Sequence, residues 1–264
     1  MIIEQIWTGN DFRNFNYLIA CGETGEALAL DPFDHEKCLA LAKAKGWDIT
    51  KIVNTHEHRD HTGGNAAMIQ ATGAKLLAHH EAGARIEGVD CGLAAGDLVR
   101  VGRTVELLVL DTPGHTMNHV CLLAAADPAA LFSGDALFNA GAGNCHGGGD
   151  PETLYRTFAT QFSGLSDETL VYPGHDYLVR NLGFTLDREP NNQRARVLLQ
   201  DLQDASHPQV PWVTTLKLER EINPFLRLTS KAVIDRLRET FPRMPQEPKS
   251  REVFLKLREL RNHW

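Results

Sequence analysis

Residues Thr55-His56-Glu57-His58-Arg59-Asp60-His61 set four potential metal ligands within six positions, after an apolar run (Lys51-Ile52-Val53-Asn54) and before Gly63-Gly64. Groups of this kind are costly to bury together unless a cation compensates them. The run reads as the end of a strand turning into a helix. On extended backbone, side chains two positions apart project the same way, so His56 and His58 can meet one ion. Asp60 and His61, where the chain turns, are displaced towards a second. The fold must therefore bring further ligands to this one point, and a lone His or Asp is expected at later strand ends.

Three such ends occur. Val105–Leu110 runs into Asp111-Thr112-Pro113-Gly114-His115-Thr116, Ala130–Ser133 into Gly134-Asp135, and Thr169–Tyr172 into Pro173-Gly174-His175. Each ligand follows a glycine, which permits a sharp turn at a sheet rim. The spacing assigns His56, His58 and His115 to one ion, Asp60, His61 and His175 to another, and Asp135 to a bridging position. Five His and two Asp with no Cys form a nitrogen and oxygen set that suits zinc, with iron or manganese also acceptable. Two divalent ions so held lower the pKa of a shared water towards neutrality and polarise a carbonyl, which is hydrolase chemistry.

The remaining chemistry-bearing residues read more plainly. His119 begins a strand without a preceding Pro-Gly turn and is expected to support the site from behind. His79 and His80 are expected to lie outside it. Cys145-His146, in the Gly141–Gly149 run, suggests a thiol nucleophile, but neighbouring residues seldom face each other and a flexible substrate-side loop fits better. That run lacks the Lys-Ser/Thr ending of a phosphate cradle.

The other 200 or so positions describe the body that carries this point. Strands are expected at 2–7, 15–20, 27–31, 51–54, 75–79, 105–111, 119–124, 130–133 and 169–172, with helices at 34–45 (Asp34 as N-cap), 64–72 and 151–162 (Asp150 as N-cap). Beyond Tyr177 strand signals fade. Helices are expected at 178–186, 192–205, 230–239 and 250–262, punctuated by the proline stretches 206–211 and 241–248. At 264 residues the chain suits one large unit and a smaller companion, placed at 1–175 and 176–264. The net charge of -7 argues against nucleic-acid binding, and the longest apolar run, near Val120–Phe132, is too short for a membrane span. Five cysteines without CxxC spacing and an amino terminus without a basic leader fit a reducing, cytoplasmic setting, and a monomer is expected.

The motifs resemble the metallo-β-lactamase superfamily and, within it, the glyoxalase II (hydroxyacylglutathione hydrolase) family. The resemblance rests on Thr55-His56-x-His58-x-Asp60-His61, Thr112-Pro113-Gly114-His115-Thr116, Ser133-Gly134-Asp135-Ala136-Leu137-Phe138 and Pro173-Gly174-His175-Asp176-Tyr177. In the tail it rests on Asn223-Pro224-Phe225-Leu226-Arg227 and Val253-Phe254-x-x-Leu257-Arg258-x-x-Arg261. It implies a four-layer αββα sandwich with a dinuclear site, closed on the thiol side by a helical carboxy-terminal domain. It implies hydrolysis of S-D-lactoylglutathione to D-lactate and glutathione, with a metal-bridging hydroxide as nucleophile and Asp60 and Asp135 as the catalytic carboxylates. It also implies glutathione contacts from Tyr177 and the basic pair Arg258 and Arg261, whose guanidinium forks suit carboxylates. Where the family carries a Lys and a Tyr after the bridging Asp, this chain has Asn144 and His146, which stand as altered substrate contacts.

The main alternative is a persulfide dioxygenase of the same superfamily, with a single iron, or a related hydrolase acting on another ester or thioester. A mononuclear enzyme has little use for His61 and His175, and persulfide dioxygenases generally lack so long a tail. A metal-binding scaffold without chemistry would not need all seven ligand positions filled. A nuclease is disfavoured by charge and a β-lactamase by the absence of a secretion signal.

Overall fold

The structure is a computed structural model describing residues 1–204 and 212–264. The chain opens with β1 (Ile2–Trp7), β2 (Phe15–Ala20), β3 (Glu26–Leu30), α1 (His35–Lys45), β4 (Asp48–Val53), α2 (Arg59–Thr62), α3 (Asn65–Thr72), β5 (Lys75–His79) and β6 (Cys91–Leu93). These strands form one sheet in sequence order, antiparallel across β1-β2-β3 and parallel from β3 to β6. Next come β7 (Leu98–Val101), β8 (Val105–Asp111), β9 (Val120–Ala124) and β10 (Ala130–Gly134), a small hairpin of β11 (Leu137–Phe138) and β12 (Gly141–Ala142), α4 (Pro151–Thr157) and β13 (Leu170–Pro173). The tail adds α5 (Leu178–Arg188), α6 (Gln193–Asp204), β14 (Thr214–Thr215), α7 (Leu216–Ile222), α8 (Lys231–Thr240) and α9 (Ser250–Arg261). The second sheet runs β14-β13-β10-β9-β8-β7.

Strand alternation builds the layers. In β2, Phe15, Tyr17 and Ile19 face the opposite sheet, while Leu18 and Ala20 face α1 and α3; in β9, Val120 and Leu122 turn inward and Cys121 turns to the far side. Tyr17, Phe132 and Tyr172 meet between the sheets with ring centroids 5.2–5.8 Å apart. The outer face of the first sheet packs on Cys38, Ala42 and Met68 of α1 and α3. The outer face of the second packs on Leu154 and Phe158, joined by Phe184, Phe225, Phe254 and Leu257 of the tail. The result is the expected αββα sandwich with a helical carboxy-terminal region.

Local signals account for many boundaries. Asp34 accepts the Lys37 amide and Asp150 the Thr153 amide as N-caps, with Pro151 in the first turn. Several elements differ from expectation. The 151–162 helix leaves α geometry after Thr157 and becomes a π-helical turn over Phe158–Phe162, with both phenylalanines buried. β6, the β11-β12 hairpin and β14 run only two or three residues and are too short to carry a periodic signal; β7, four residues of alternating exposure, was not expected either; and β14 pairs with β13, so the tail contributes an edge to the second sheet. α7 was hidden because its apolar stripe is interrupted by Glu219, which is fully buried. The proline stretch 206–211 and the expected helix end at Ala205 lie outside the described residues. Among the described residues, no helix is long and apolar enough to cross a membrane.

Candidate metal centre

Four strand ends meet at one rim. β4 delivers Asn54, Thr55 and His56, β8 leads to His115, β10 ends at Gly134 before Asp135, and β13 ends before Gly174 and His175. Two glycines make the approach possible. Gly134 has φ +47, and a Cβ there would come within 2.8 Å of Thr55 and His119; a Cβ on Gly174 would sit 2.2 Å from Asp135 Oδ1.

The ring nitrogens of His56, His58 and His115 lie within 4.8 Å of one another, and the same holds for the ligand atoms of Asp60, His61 and His175 and for those of His56, His61 and Asp135. The Asp135 carboxylate stands between the groups: Oδ2 is 3.1 Å from His175 Nε2 and 3.5 Å from His115 Nε2, and Oδ1 is 3.4 Å from His61 Nε2. All seven residues are thus brought together.

The hydrogen bonds behind the rings define what the inward atoms can do. His115 Nδ1–H donates to the Asn144 carbonyl (2.6 Å), His58 Nε2–H to the Gly147 carbonyl (3.0 Å) and His175 Nδ1–H to the Phe12 carbonyl (2.7 Å). Thr55 Oγ1 gives its proton to Asp31 Oδ2 (2.7 Å) and so accepts from His56 Nδ1–H (3.0 Å), while His61 Nδ1–H donates to Asp31 Oδ2 (3.0 Å). In the neutral form that binds metal the other nitrogen of each ring carries a lone pair, and these nitrogens point at each other: His56 Nε2 to His58 Nδ1 at 3.0 Å, His58 Nδ1 to His115 Nε2 at 3.1 Å, His61 Nε2 to His175 Nε2 at 3.2 Å. Asp135 Oδ1 is buried with no hydrogen-bond partner. Five converging lone pairs and an orphaned carboxylate oxygen repel one another unless a cation lies among them, so these residues fit divalent metal ions.

The electrostatics agree. Burial, with the neighbouring His61 and His115, holds His56 well below the usual histidine range. Burial also takes His115 down to about 4, against the pull of Asp135. Both rings are therefore neutral at pH 7, the form that binds metal. Burial pushes His61 down too, but Asp135, Asp31 and Asp60 reverse it to about 9; a field that strong for a proton also favours a cation in the same place.

His119 supports the centre from behind: its Nε2 accepts the Asp135 amide (3.1 Å) and its Nδ1 faces Thr112 Oγ1 (2.8 Å). His79 and His80 lie apart from it, with His79 Nδ1 accepting the Glu81 amide. Cys145 is half-buried and its thiol is pushed up to about 12 by burial, so it offers little thiolate. Sequence patterns missed Asp31, which receives the Thr55 amide and hydroxyl and His61, and Asn14, whose Nδ2 donates to Asp60 Oδ2 (3.1 Å). Asp31 directly follows β3, and Asn14 directly precedes β2 in a bridge with His175; only the closure of the sandwich brings them to the site.

On the tail side, the Tyr177 ring stacks on His175 (centroids 4.9 Å apart) and its hydroxyl donates to the Phe12 carbonyl (3.1 Å). Arg258 is buried, with Nη1 donating to the carbonyls of Ala142 and Gly143 at the mouth of the loop that carries Asn144 and His146. Arg261 Nη2 donates to Asn181 Oδ1, and burial together with nearby Arg180 lowers its pKa to about 10. Asn144 and His146 are exposed, and the Asn144 side chain accepts the His146 amide.

Residues 13–175 match the model of the metallo-beta-lactamase superfamily, and residues 176–264 match that of the hydroxyacylglutathione hydrolase C-terminus. Full-length relatives settle the family. A hydroxyacylglutathione hydrolase of Polaromonas sp. (strain JS666) is 66% identical over 264 residues, all of both chains, and one of Nitrosococcus oceani is 62% identical over the same span. The chain belongs to the hydroxyacylglutathione hydrolase family. Among solved structures, ETHE1 from Myxococcus xanthus superposes with a TM-score of 0.71 at 26% identity, covering 99% of this chain and 92% of its own. TTHA1623, solved in a di-iron-bound form, gives 0.58 at 27% identity over 84% of this chain and all of its own. The family and the His/Asp groups together indicate the use of divalent metal.

Proposed function

We propose that the protein hydrolyses S-2-hydroxyacylglutathiones, S-D-lactoylglutathione foremost, to the hydroxy acid and glutathione; the two full-length relatives are named hydroxyacylglutathione hydrolases. The observation that carries this is the set of five inward lone pairs around Asp135, joined to a helical tail of the hydroxyacylglutathione hydrolase type. His56, His58 and His115 would hold one ion and Asp60, His61 and His175 a second, with Asp135 shared. Zinc suits this donor set, and iron has a precedent in the di-iron neighbour. When bound, such ions supply Lewis-acid polarisation of the thioester carbonyl and activation of water.

The chain's own groups do the rest. Asp60, with its side chain 21% exposed against 8% for Asp135, is the carboxylate that can pass a proton to solvent, and Asn14 fixes its orientation. The leaving thiol has a pKa of about 8.5, low enough for it to depart as the thiolate, so no strong acid is required. Arg180 and Arg261 concentrate positive charge beside Tyr177, which favours an anionic tripeptide; Asn144 and His146 are exposed on the Gly-rich loop, which the buried Arg258 braces through the Ala142 and Gly143 carbonyls. Residues 1–175 are taken as the reaction unit and 176–264 as the part that selects the thiol, in a cytoplasmic monomer.

Loss of thioester absorbance with S-D-lactoylglutathione tests the proposal. Activity should vanish on chelation, return with a divalent ion, and be absent from His58→Ala and Asp135→Ala. Metal-loaded protein that leaves several glutathione thioesters intact would overturn it.

A further inference from the structure

Glu57 stands between two of the histidines and plays no part in the scheme above. Its carboxylate is nearly buried, with the side chain 6% exposed, although it lies on a loop. Oε1 accepts from Arg85 Nη1 at 2.6 Å, and Oε2 accepts from the hydroxyl of Thr116, the residue after His115, at 2.9 Å. The same guanidinium lies against the Gly-rich loop: a Cβ on Gly148 would come within 3.2 Å of Arg85 Nη1. That loop supplies the Gly147 carbonyl that orients His58 and the Asn144 carbonyl that orients His115. One carboxylate and its arginine thus touch all three segments that present or orient His56, His58 and His115.

We propose that Glu57, held by Arg85, is a positioning residue that clasps the 56–58 and 115–116 segments together and so sets the affinity of the three-histidine site for its ion. This rests on the dinuclear assignment above. Nothing in the H-x-H spacing requires an acid at the middle position, so the clasp belongs to this chain's own side chains. Residues that orient metal ligands typically change metal affinity 10–100-fold when altered.

The test is a chelator titration of the zinc-loaded, full-length protein, with released ion read by a colorimetric indicator and no substrate present. Glu57→Gln keeps the volume and one acceptor but removes the charge that pairs with Arg85. One of the two ions should leave at a chelator concentration at least tenfold lower than in the parent protein, while release of the other and the melting temperature of the metal-free protein stay unchanged. Thr116→Val removes only the hydroxyl and should shift the same ion at least threefold, which keeps the question answerable if Glu57→Gln folds poorly. The proposal is overturned if both variants hold both ions within threefold of the parent, or if both ions weaken equally alongside a fall in melting temperature. Failure of the parent protein to cleave thioesters would count against the proposed reaction and leave this titration unaffected.

Discussion

Glu219 offers a sharp test of how the tail is attached. It is fully buried on α7 and receives the Ala140 amide (2.8 Å), the Thr214 hydroxyl (2.7 Å) and Asn223 Nδ2 (3.0 Å). Ala140 is held at φ +54, an uncommon conformation for a residue with a Cβ, in the turn that leads from Asp135 into the Gly-rich loop. Burial raises the Glu219 carboxyl from its ordinary 4.5 to about 7, only partly opposed by these hydrogen bonds. At about 1.4 kcal/mol per decade of proton affinity, this amounts to about 3 kcal/mol. The sign follows from linkage: the folded state binds the proton more tightly than the unfolded chain, so the contribution is complete below pH 4.5 and is lost as pH rises to about 7. Glu219→Gln cannot titrate. Urea unfolding of both proteins between pH 4.5 and 8 should show the parent losing about 3 kcal/mol relative to the variant across that window, a difference in which titrations common to both cancel. A stability difference that stays flat from pH 4.5 to 8 would refute the reasoning.

Two further outcomes are expected. Asp31→Asn leaves the Thr55 amide, the Thr55 hydroxyl and His61 Nδ1–H competing for one neutral oxygen, and should lower thioester turnover and metal content at a fixed chelator concentration about 10–100-fold. Gly174→Ala drives a methyl group to 2.2 Å from Asp135 Oδ1 and 2.9 Å from His61 Cε1, and should abolish stoichiometric metal binding, measured by elemental analysis, while the far-UV circular dichroism of the sheets persists.

The candidate centre was unusually legible because metal ligands are rare residue types and the turns that present them need glycine. Short apolar runs, many ending in Gly, Pro or Asp, made nine of the strands visible, and caps such as Asp34 and Asp150 fixed helix starts. The shorter elements stayed hidden. A two-residue strand such as Thr214–Thr215 has no period to detect, and α7 carries a buried glutamate where an apolar residue would be expected. The supporting residues were silent for a different reason. Asp31, Asn14 and Glu57 are common polar residues in unremarkable local settings, and their roles come from partners 24–59 positions away in the chain.

By itself, then, the sequence determined which side chains can donate to a cation and that strand ends must deliver them, since both follow from local chemistry and backbone periodicity. Tertiary structure alone decided the state of those donors. For four of the five imidazoles the inward nitrogen depends on an acceptor supplied from elsewhere in the chain: Asp31 for His61, the Phe12 carbonyl for His175, and the Gly147 and Asn144 carbonyls for His58 and His115. A tautomer is fixed by whatever faces the other nitrogen, and that neighbour is in place only once the two sheets and their loops have closed on one rim.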